Sequence, residues 1–256
     1  MDKAIIITGA SRGIGKAAAE ALLRKGYNAA ICARTAGPLQ ELADAFPGQV
    51  LFQAFDIADF SSVKSFVEKA ASKFGIIAGV ISNAGLLGPC APLGGDASDE
   101  EAESWKEALL ANSLGPYNLV KATLPYLRET QGRFVQITSG AAFQPLTHFS
   151  AYCASKAAAA MLTGVLAAEE PCITAINFMP AETDTDMQKI IGAHINDLPE
   201  PLRSHFVDSH AKGLMDCTLA GKIIAWLVLH ANHSLSGKTF NALDPYLQRE
   251  AQKCFM

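Results

Sequence analysis

The stretch TGASRGIG, residues 8–15, joins two apolar runs of different period and decides the fold prediction. The run before it, KAIIIT (3–8), is typical of a buried strand, and the run after it, IGKAAAEALLRKG (14–26), has helical spacing. Its glycines, spaced GxxxGxG, allow a tight turn, a close backbone approach and a helix N-terminus that faces an anion. Because the loop lies between a strand and a helix, we predict that it binds a dinucleotide. The residues expected at that ligand are Gly9, Ser11, Arg12, Gly13, Ile14 and Gly15.

Short apolar, often β-branched runs alternate with helical stretches along the rest of the chain. The predicted strands are 3–8, 28–33, 49–55, 78–82, 133–139, 172–178 and 238–242. The predicted helices are 14–25, 37–46, 60–74, 100–128, 151–169 and 216–231. This alternation indicates a parallel sheet that helices cover on both faces. We therefore predict an α/β fold with one Rossmann-like, doubly wound sheet of about seven strands.

Two segments interrupt the alternation. Segment 86–99 is rich in Gly and Pro, and segment 181–212 is polar with scattered prolines. In a doubly wound sheet, ligands bind beyond the carboxyl ends of the strands, where these loops emerge. We interpret 181–212 as a mobile flap that covers a substrate, and a variable surface excursion is the alternative. The chain shows neither a repeat nor a linker, so residues 1–256 are predicted to form one domain.

Composition and charge exclude several classes of function. Half of the 256 residues are hydrophobic and the net charge is −4, which argues against a nucleic acid or an anionic membrane as partner. The six cysteines are scattered without a CxxC pair, and the first apolar run is too short for a signal peptide or a membrane span. We expect a cytoplasmic protein with reduced thiols that acts on a small molecule.

Arginines mark the place where dinucleotide sites distinguish NAD from NADP. An acidic residue at the end of the second strand binds the ribose 2′-hydroxyl of NAD, whereas an arginine accommodates the 2′-phosphate of NADP. Arg34 stands at that place, and Arg12 is expected to close on the same phosphate from the glycine loop. Two solvated arginines are the alternative, but their joint placement predicts NADP(H).

Two other strand ends are expected to reach the cofactor. Asp56 and Ile57 follow the third strand and would lie at the adenine, although Asp56 could instead cap the helix that begins near Phe60. The tripeptide NAG follows the fourth strand, and its small residues let the backbone lie against the cofactor. Its members are Asn83, Ala84 and Gly85.

Three side chains of complementary chemistry follow the fifth strand. Ser139 ends that strand in QITSG, and Tyr152 and Lys156 stand four residues apart, on one face of a predicted helix. Reduction of a carbonyl by a nicotinamide needs a proton for the developing alkoxide. We expect Tyr152 to donate it, Lys156 to lower the pKa of Tyr152 and hold the ribose, and Ser139 to orient the substrate oxygen.

Together these motifs resemble the short-chain dehydrogenase/reductase family over nearly the whole chain. TGxxxGxG, NAG, Ser139 and YxxxK stand in the order and spacing of that family. The resemblance implies a fourth catalytic residue, Asn112 in NSLG, which would fix a water that relays protons to Lys156. It implies a homodimer or homotetramer, for which the small residues at 157–160 would permit close helix packing, although packing within one chain explains them equally well. It also implies a nicotinamide-binding segment with contacts from Pro180, Thr183, Thr185 and Met187.

The C-terminal half is similar to sepiapterin reductases and their fungal and bacterial relatives, some of which reduce aromatic vicinal diketones such as benzil. The similarity lies in YCASKAAAAMLTGVLAAEEP (152–171), DTDMQ (184–188), GLMDC (213–217) and SGKTF (236–240). It implies NADPH as cofactor, in agreement with the two arginines. We therefore predict an NADPH-dependent carbonyl reductase acting on a sepiapterin-like side-chain ketone or a vicinal diketone.

Two positions depart from those patterns. The family usually has Pro-Gly before the nicotinamide segment, whereas this chain has Pro180-Ala181, and alanine tolerates fewer backbone conformations. Sepiapterin reductases anchor the pterin through an aspartate in the last strand, and the corresponding residue here is Asn241. An amide cannot provide the charge-assisted pairing of a carboxylate, and Asp244, three residues on, is the alternative anchor.

Other features leave alternatives open. Scattered aromatic and Met side chains are expected to line a pocket for an aromatic substrate or to belong to the core, namely Trp105, Phe143, Phe149 and Met187. The six histidines do not cluster, so no metal site is predicted. The alternative functions are an alcohol dehydrogenase that works in the oxidative direction and a non-catalytic NADP-binding sensor.

Overall fold

The apolar run before the glycine loop forms the middle of the sheet. The computed structural model describes residues 3–95 and 98–256. Its seven strands are β1 (Lys3–Thr8), β2 (Asn28–Ala33), β3 (Val50–Ala54), β4 (Ile76–Ser82), β5 (Arg133–Ile137), β6 (Thr174–Met179) and β7 (Thr239–Asn241). All are parallel, in the order β3-β2-β1-β4-β5-β6-β7. The predicted fold class is therefore confirmed.

Helices connect these strands and cover both faces of the sheet. They are α1 (Gly13–Arg24), α2 (Gly37–Ala45), α3 (Phe60–Phe74), α4 (Asp99–Leu109), α5 (Gly115–Thr130), α6 (Ser150–Glu169), α7 (Asp186–Ala193), α8 (Leu202–Lys212), α9 (Cys217–His230) and α10 (Pro245–Cys254). One core packs α1, α2, α9 and α10 on the sheet, and the other packs α3, α5 and α6 on the opposite face. The strands carry apolar side chains on both sides for this reason: Ile5 and Ile7 belong to the first core and Ile6 to the second.

The helix predicted over 100–128 is interrupted. A π-helical turn, Leu110–Leu114, separates α4 from α5 and carries Asn112 in a buried position. A π turn inserts one residue into the helical hydrogen-bond pattern and so redirects the side chains around it. Apolar spacing alone could not reveal this insertion, because α4 and α5 both continue with helical periodicity.

The segment predicted as a flap contains two helices that the sequence analysis missed. Segment 181–212 holds α7, a short 3₁₀ turn (Ile195–Asp197) and α8. We call the apolar cluster beneath it the flap cluster, and it is separate from both sheet cores. Its buried members are Leu87, Phe149, Ile191, Leu198 and Phe206. Segment 181–212 is therefore largely helical and packed on its own apolar cluster, and its role as a mobile flap over a substrate stays a prediction.

Helix α6 is the one helix among the described residues that has the length and mean hydropathy of a membrane span. Long core helices meet the same criteria. In this structure α6 packs against β5 and β6, and 39% of its most apolar window is buried inside the fold.

Candidate active site

A cleft of about 1500 Å³ opens beyond the carboxyl ends of the strands. It lies where the strand order reverses between β1 and β4, the place at which doubly wound sheets bind ligands. Most of the predicted site residues line it: Gly9, Ser11, Arg12, Gly13, Ile14, Arg34, Asp56, Ile57, Asn83, Ala84, Gly85, Ser139, Phe143, Phe149, Tyr152, Lys156, Pro180, Thr183, Thr185, Met187 and Asn241. Gly15, Trp105 and Asn112 support it from outside the lining.

The glycine loop has no room for side chains at two of its three glycines. A Cβ on Gly15 would lie 2.4 Å from the carbonyl oxygen of Gly9, and one on Gly9 would lie 2.8 Å from the backbone of Ala84. Gly9 and Gly13 also adopt left-handed φ values of 67° and 56°. The loop thus brings bare backbone to the mouth of the cleft, at the N-terminus of α1. This arrangement fits the pyrophosphate of a dinucleotide.

Asn83 holds the glycine loop in place. Its side-chain amide donates hydrogen bonds to the carbonyls of Thr8 (3.0 Å) and Gly9 (3.1 Å). In return, the Thr8 hydroxyl accepts from the amides of Asn83 and Ala84, both at 3.0 Å. The NAG segment therefore ties the ends of β1 and β4 together, a positioning role that the sequence analysis had not assigned to it.

The two predicted phosphate-binding arginines are arranged differently. Arg34 is exposed at the end of β2 and lines the cleft, as expected. Arg12 instead donates a hydrogen bond from one guanidinium nitrogen to Oδ2 of Asp186 at 2.8 Å, so its charge is partnered by the first residue of α7.

The alternative role of Asp56 as a helix cap is wrong. Asp59 caps α3 through the Ser61 amide, and Asp56 accepts from the Ala58 amide and faces the cleft.

Tyr152, Lys156 and Ser139 meet on the floor of the cleft. The ammonium of Lys156 donates to the Ile137 carbonyl at 2.9 Å and lies 5.6 Å from the centre of the Tyr152 ring. Ser139 lies close enough to the Tyr152 phenol to lower its pKa, and its Oγ accepts from the Ala141 amide at 3.2 Å. The three predicted side chains therefore line one cleft and lie close to one another.

The pKa of Tyr152 moves in the direction opposite to our expectation. Burial raises it to about 12 and outweighs the lowering by the hydrogen bond with Ser139. Burial also lowers the pKa of Lys156 to about 8. The expectation failed because it counted the charge of Lys156 but not the removal of both groups from water. At neutral pH the phenol carries its proton, which is the form that a proton donor needs.

Asn112 is fully engaged in holding the loop after β4. Its amide nitrogen donates to the Leu86 carbonyl (2.7 Å) and to the Ser155 hydroxyl (2.9 Å), and its oxygen accepts from the Leu86 amide at 2.7 Å. Gly85 lies between it and Lys156: a Cβ there would be 3.0 Å from Asn112 Oδ1 and 3.5 Å from Lys156 Nζ. Asn112 is thus close to Lys156, and its predicted part in a proton relay stays a prediction.

The segment after β6 begins with a strained alanine. Ala181 adopts a φ of 58°, the left-handed conformation that glycine takes without strain. The slight shift in loop path expected from this alanine stays a prediction. Thr183 is buried and its hydroxyl donates to the Pro180 carbonyl at 2.6 Å. Thr185 precedes α7 and faces the glycine loop, since a Cβ on Gly13 would lie 3.4 Å from its methyl group.

The substrate end of the cleft is mainly apolar. Phe143 is 56% exposed and lines the cleft, whereas Phe149 is buried and packs edge-on against Phe206, with ring centres 6.1 Å apart. Trp105 donates to the Ser150 hydroxyl and supports the start of α6, so its predicted place in the pocket is wrong. Sequence reasoning missed Phe206. The apolar positions 187, 190, 191, 195, 198, 202 and 206 carry the helical spacing that could have revealed it.

The last strand brings an amide, not a carboxylate, to the cleft. Asn241 lines it, and its side-chain oxygen accepts from the Leu243 amide at 2.8 Å. Asp244 caps α10 by accepting from the Tyr246 amide at 2.8 Å and does not line the cleft. The suggestion that Asp244 substitutes as a substrate anchor is therefore wrong. Among the described residues no group of three or more metal-ligating side chains is found.

Comparison with known proteins places this geometry in a family. The model of the short chain dehydrogenases matches residues 3–196. A benzil reductase of Saccharomyces cerevisiae that forms (S)-benzoin is 30% identical over 258 residues, 96% of this chain and 98% of the relative. The sepiapterin reductase of Xenopus tropicalis is 32% identical over 225 residues, 82% and 84% of the two chains.

A solved structure shows the same similarity. The alcohol dehydrogenase of the archaeon Thermococcus sibiricus, complexed with 5-hydroxy-NADP, superposes with a TM-score of 0.77 at 28% identity. The superposition covers 93% of this chain and 95% of the archaeal one.

Proposed function

The chain belongs to the short-chain dehydrogenase family of oxidoreductases, and we propose that it is an NADPH-dependent reductase of aromatic ketones, with vicinal diketones such as benzil as its substrate class. The observation that carries the proposal is the meeting of Ser139, Tyr152 and Lys156 on the floor of an apolar cleft. A nicotinamide dinucleotide fits the rest of the cleft, because the crowding at Gly9 and Gly15 leaves only bare backbone beside it.

Each of the three side chains has its own part in the proposed reaction. Bound NADPH would supply the hydride. The Tyr152 phenol, protonated at neutral pH, donates the proton that the developing alkoxide requires. Ser139, which lies close to that phenol, orients the carbonyl oxygen toward it. Lys156 provides a positive charge beside the phenol as the proton leaves.

NADP(H) is the cofactor that the charges at the cleft favour. Arg34 and Arg12 both line the cleft, and a guanidinium suits a phosphate dianion. Replacing Arg34 with Asp should raise the Kd for NADPH by roughly 100-fold, the loss of about two charge-assisted hydrogen bonds, and shift preference toward NADH. Lys222→Asp, a charge reversal on α9, is the control. An unchanged preference in the Arg34 variant would refute this cofactor assignment.

An aromatic diketone fits the substrate end better than a pterin does. A pterin presents an amino edge that a carboxylate recognises well, but Asn241 and not Asp244 faces the cleft. The flap cluster and Phe143 instead offer an apolar surface to aryl rings. The similarity to a benzil reductase over nearly the full length supports the same choice.

The test is the oxidation of NADPH, followed by absorbance, with benzil, a phenyl-propanedione, sepiapterin and a simple aldehyde. We expect the two diketones to give the highest kcat/KM. Tyr152→Phe should abolish turnover and leave NADPH binding unchanged, while Tyr246→Phe, far from the cleft, should behave as the parent. Turnover of sepiapterin alone would overturn the substrate class. Retained turnover in Tyr152→Phe would refute the proton donor.

We further propose a homo-oligomer that assembles through α5 and α6. Of the small residues at 157–160, Ala157 and Ala158 are exposed, whereas Ala159 and Ala160 are buried in the fold. The exposed pair continues into Met161, which is 70% exposed on the same helix, and α5 also carries an exposed aromatic residue, Tyr117. Met161→Lys should shift the protein toward monomer in sedimentation, whereas Met256→Lys, at the exposed C-terminus, should not.

We also propose that the protein works in the cytoplasm. All six cysteines are free thiols, the state that a reducing compartment maintains. Fractionation of cells with an antibody against the native chain would test this location.

A further inference from the structure

One ion pair crosses the mouth of the cleft. Arg12 in the glycine loop and Asp186 at the start of α7 are 174 residues apart in sequence, and their charged atoms are 2.8 Å apart. Both residues line the cleft. The contact between Thr185 and the Gly13 position runs alongside this pair, so the flap begins directly on the glycine loop.

Asp186 has a second cationic partner that keeps it in place. Lys189, one turn later on α7, donates to the other carboxylate oxygen at 2.9 Å. The pKa of Asp186 is held below its usual value by Lys189 first and by Arg12 second. Asp186 therefore stays ionised and partnered when Arg12 leaves it.

The pair is weak enough for an anionic ligand to break. The side chain of Arg12 is 72% exposed and that of Asp186 is 41% exposed. Exposed ion pairs of this kind contribute at most about 1 kcal/mol, because water and salt screen them. A phosphate dianion carries twice the charge of a carboxylate and presents three acceptor oxygens to a guanidinium.

We propose that Asp186 is a specificity-determining residue that competes with the 2′-phosphate of NADP(H) for Arg12. In the pair seen here Arg12 joins the glycine loop to the flap, and on binding of the phosphate it turns to the ligand and releases that end of the flap. Asp186 thereby lowers the affinity for NADPH but not for NADH, which has no 2′-phosphate. This inference rests on the proposed use of NADP(H).

The test compares Kd values for NADPH and NADH, measured by fluorescence titration at low salt. Asp186→Asn should lower the Kd for NADPH about two- to fivefold, the value of an exposed ion pair, and leave that for NADH unchanged. The NADPH gain should disappear at high salt and in the Arg12→Met background. A merely structural loosening of the flap would move both cofactors equally, which would overturn the proposal.

Asp184→Asn is the matched control. Asp184 lies on the same segment, is exposed and is not part of the cleft lining. If it lowers the Kd for NADPH as much as Asp186→Asn does, the effect is one of general charge and the competition is refuted. If neither Arg34→Asp nor Arg12→Met changes the preference for NADPH over NADH, the NADP(H) assignment itself fails. If those two variants respond and Asp186→Asn does not, only the role of Asp186 fails.

Discussion

The two ends of the cleft are held together by different kinds of contact. At the cofactor end, backbone packs closely on backbone, as Gly15 does against the Gly9 carbonyl, and the Asn83 side chain bonds the end of β1 to the segment after β4. At the substrate end, side chains of the flap cluster pack against one another, as Phe149 does against Phe206. Backbone contacts have no alternative rotamer, whereas packed side chains can rearrange. Substitutions at the cofactor end should therefore either abolish cofactor binding or leave it intact. Substitutions at the substrate end should weaken substrate binding by degrees.

Gly15→Ala should show the largest effect and tests the first half of that contrast. The added Cβ would overlap the Gly9 carbonyl, so we expect a loss of about 3 kcal/mol in the free energy of unfolding and at least a roughly 100-fold rise in the Kd for NADPH. Denaturant unfolding and fluorescence titration measure the two quantities. Gly164→Ala on α6, where a Cβ meets nothing within 4 Å, should instead stabilise the protein by about 0.5–1 kcal/mol. Normal cofactor binding by Gly15→Ala would show that the loop can adapt.

The pH dependence of activity tests Tyr152 and Lys156, which lie between the two ends of the cleft. Tyr152 packs against the flap cluster, while Lys156 is bonded to the end of β5. Because burial lowers the pKa of Lys156 to about 8 and raises that of Tyr152 to about 12, the lysine should titrate first. We expect kcat/KM for benzil reduction to be constant near neutral pH and to fall about tenfold per pH unit above about 8.

Lys156→Arg provides the control for this profile. Arginine keeps its charge throughout the range, so any activity that this variant retains should lose the fall above pH 8. A wild-type profile that stays level to about pH 11 would assign the titration to Tyr152 alone.

Phe206→Ala tests the graded behaviour of the substrate end. The truncation removes a buried ring from the flap cluster. We expect the KM for benzil to rise about tenfold, because the flap would then bury less apolar surface when it covers the substrate. The Kd for NADPH should change by less than about twofold. Val207→Ala, the exposed neighbour on α8, is the matched control and should leave both constants unchanged. A loss of cofactor binding in Phe206→Ala would show that the two ends are coupled.

Ala181→Gly should have the smallest effect and concerns the strand end that joins the two regions. Relief of the left-handed strain at Ala181 should stabilise the protein by about 1 kcal/mol, or about 2–4 °C in Tm. The same change at Ala168, a helical residue of α6, should destabilise by a similar amount. Thermal unfolding of the two variants measures both changes in Tm. A lower Tm for Ala181→Gly would show that the structure does not strain this alanine.

The same contrast explains which features could be predicted from the sequence. Local chemistry selects the residue types in TGASRGIG, NAG and YxxxK, so these motifs could point to the cleft that Gly9, Asn83 and Tyr152 line, while their functional roles stay predictions. The π turn at Asn112, the ion pair of Arg12 and the packing of Phe206 depend on residues distant in sequence, which periodicity does not bring together. The direction of the Tyr152 pKa shift failed for a related reason: desolvation depends on everything that packs around a group.

The place of β1 in the sheet also has a consequence for how the chain is made. β1 is synthesised first, yet it lies between β2 and β4 and pairs Ala4 with Ile77. Every pairing in the sheet is parallel, so two strands can pair only after the crossover segment between them has been synthesised. Such non-local contacts form slowly. On the ribosome the apolar run AIII is therefore exposed while the residues up to 82 are being added. The segment that precedes the glycine loop is thus also a segment of the nascent chain that is open to aggregation until its second neighbour has been made.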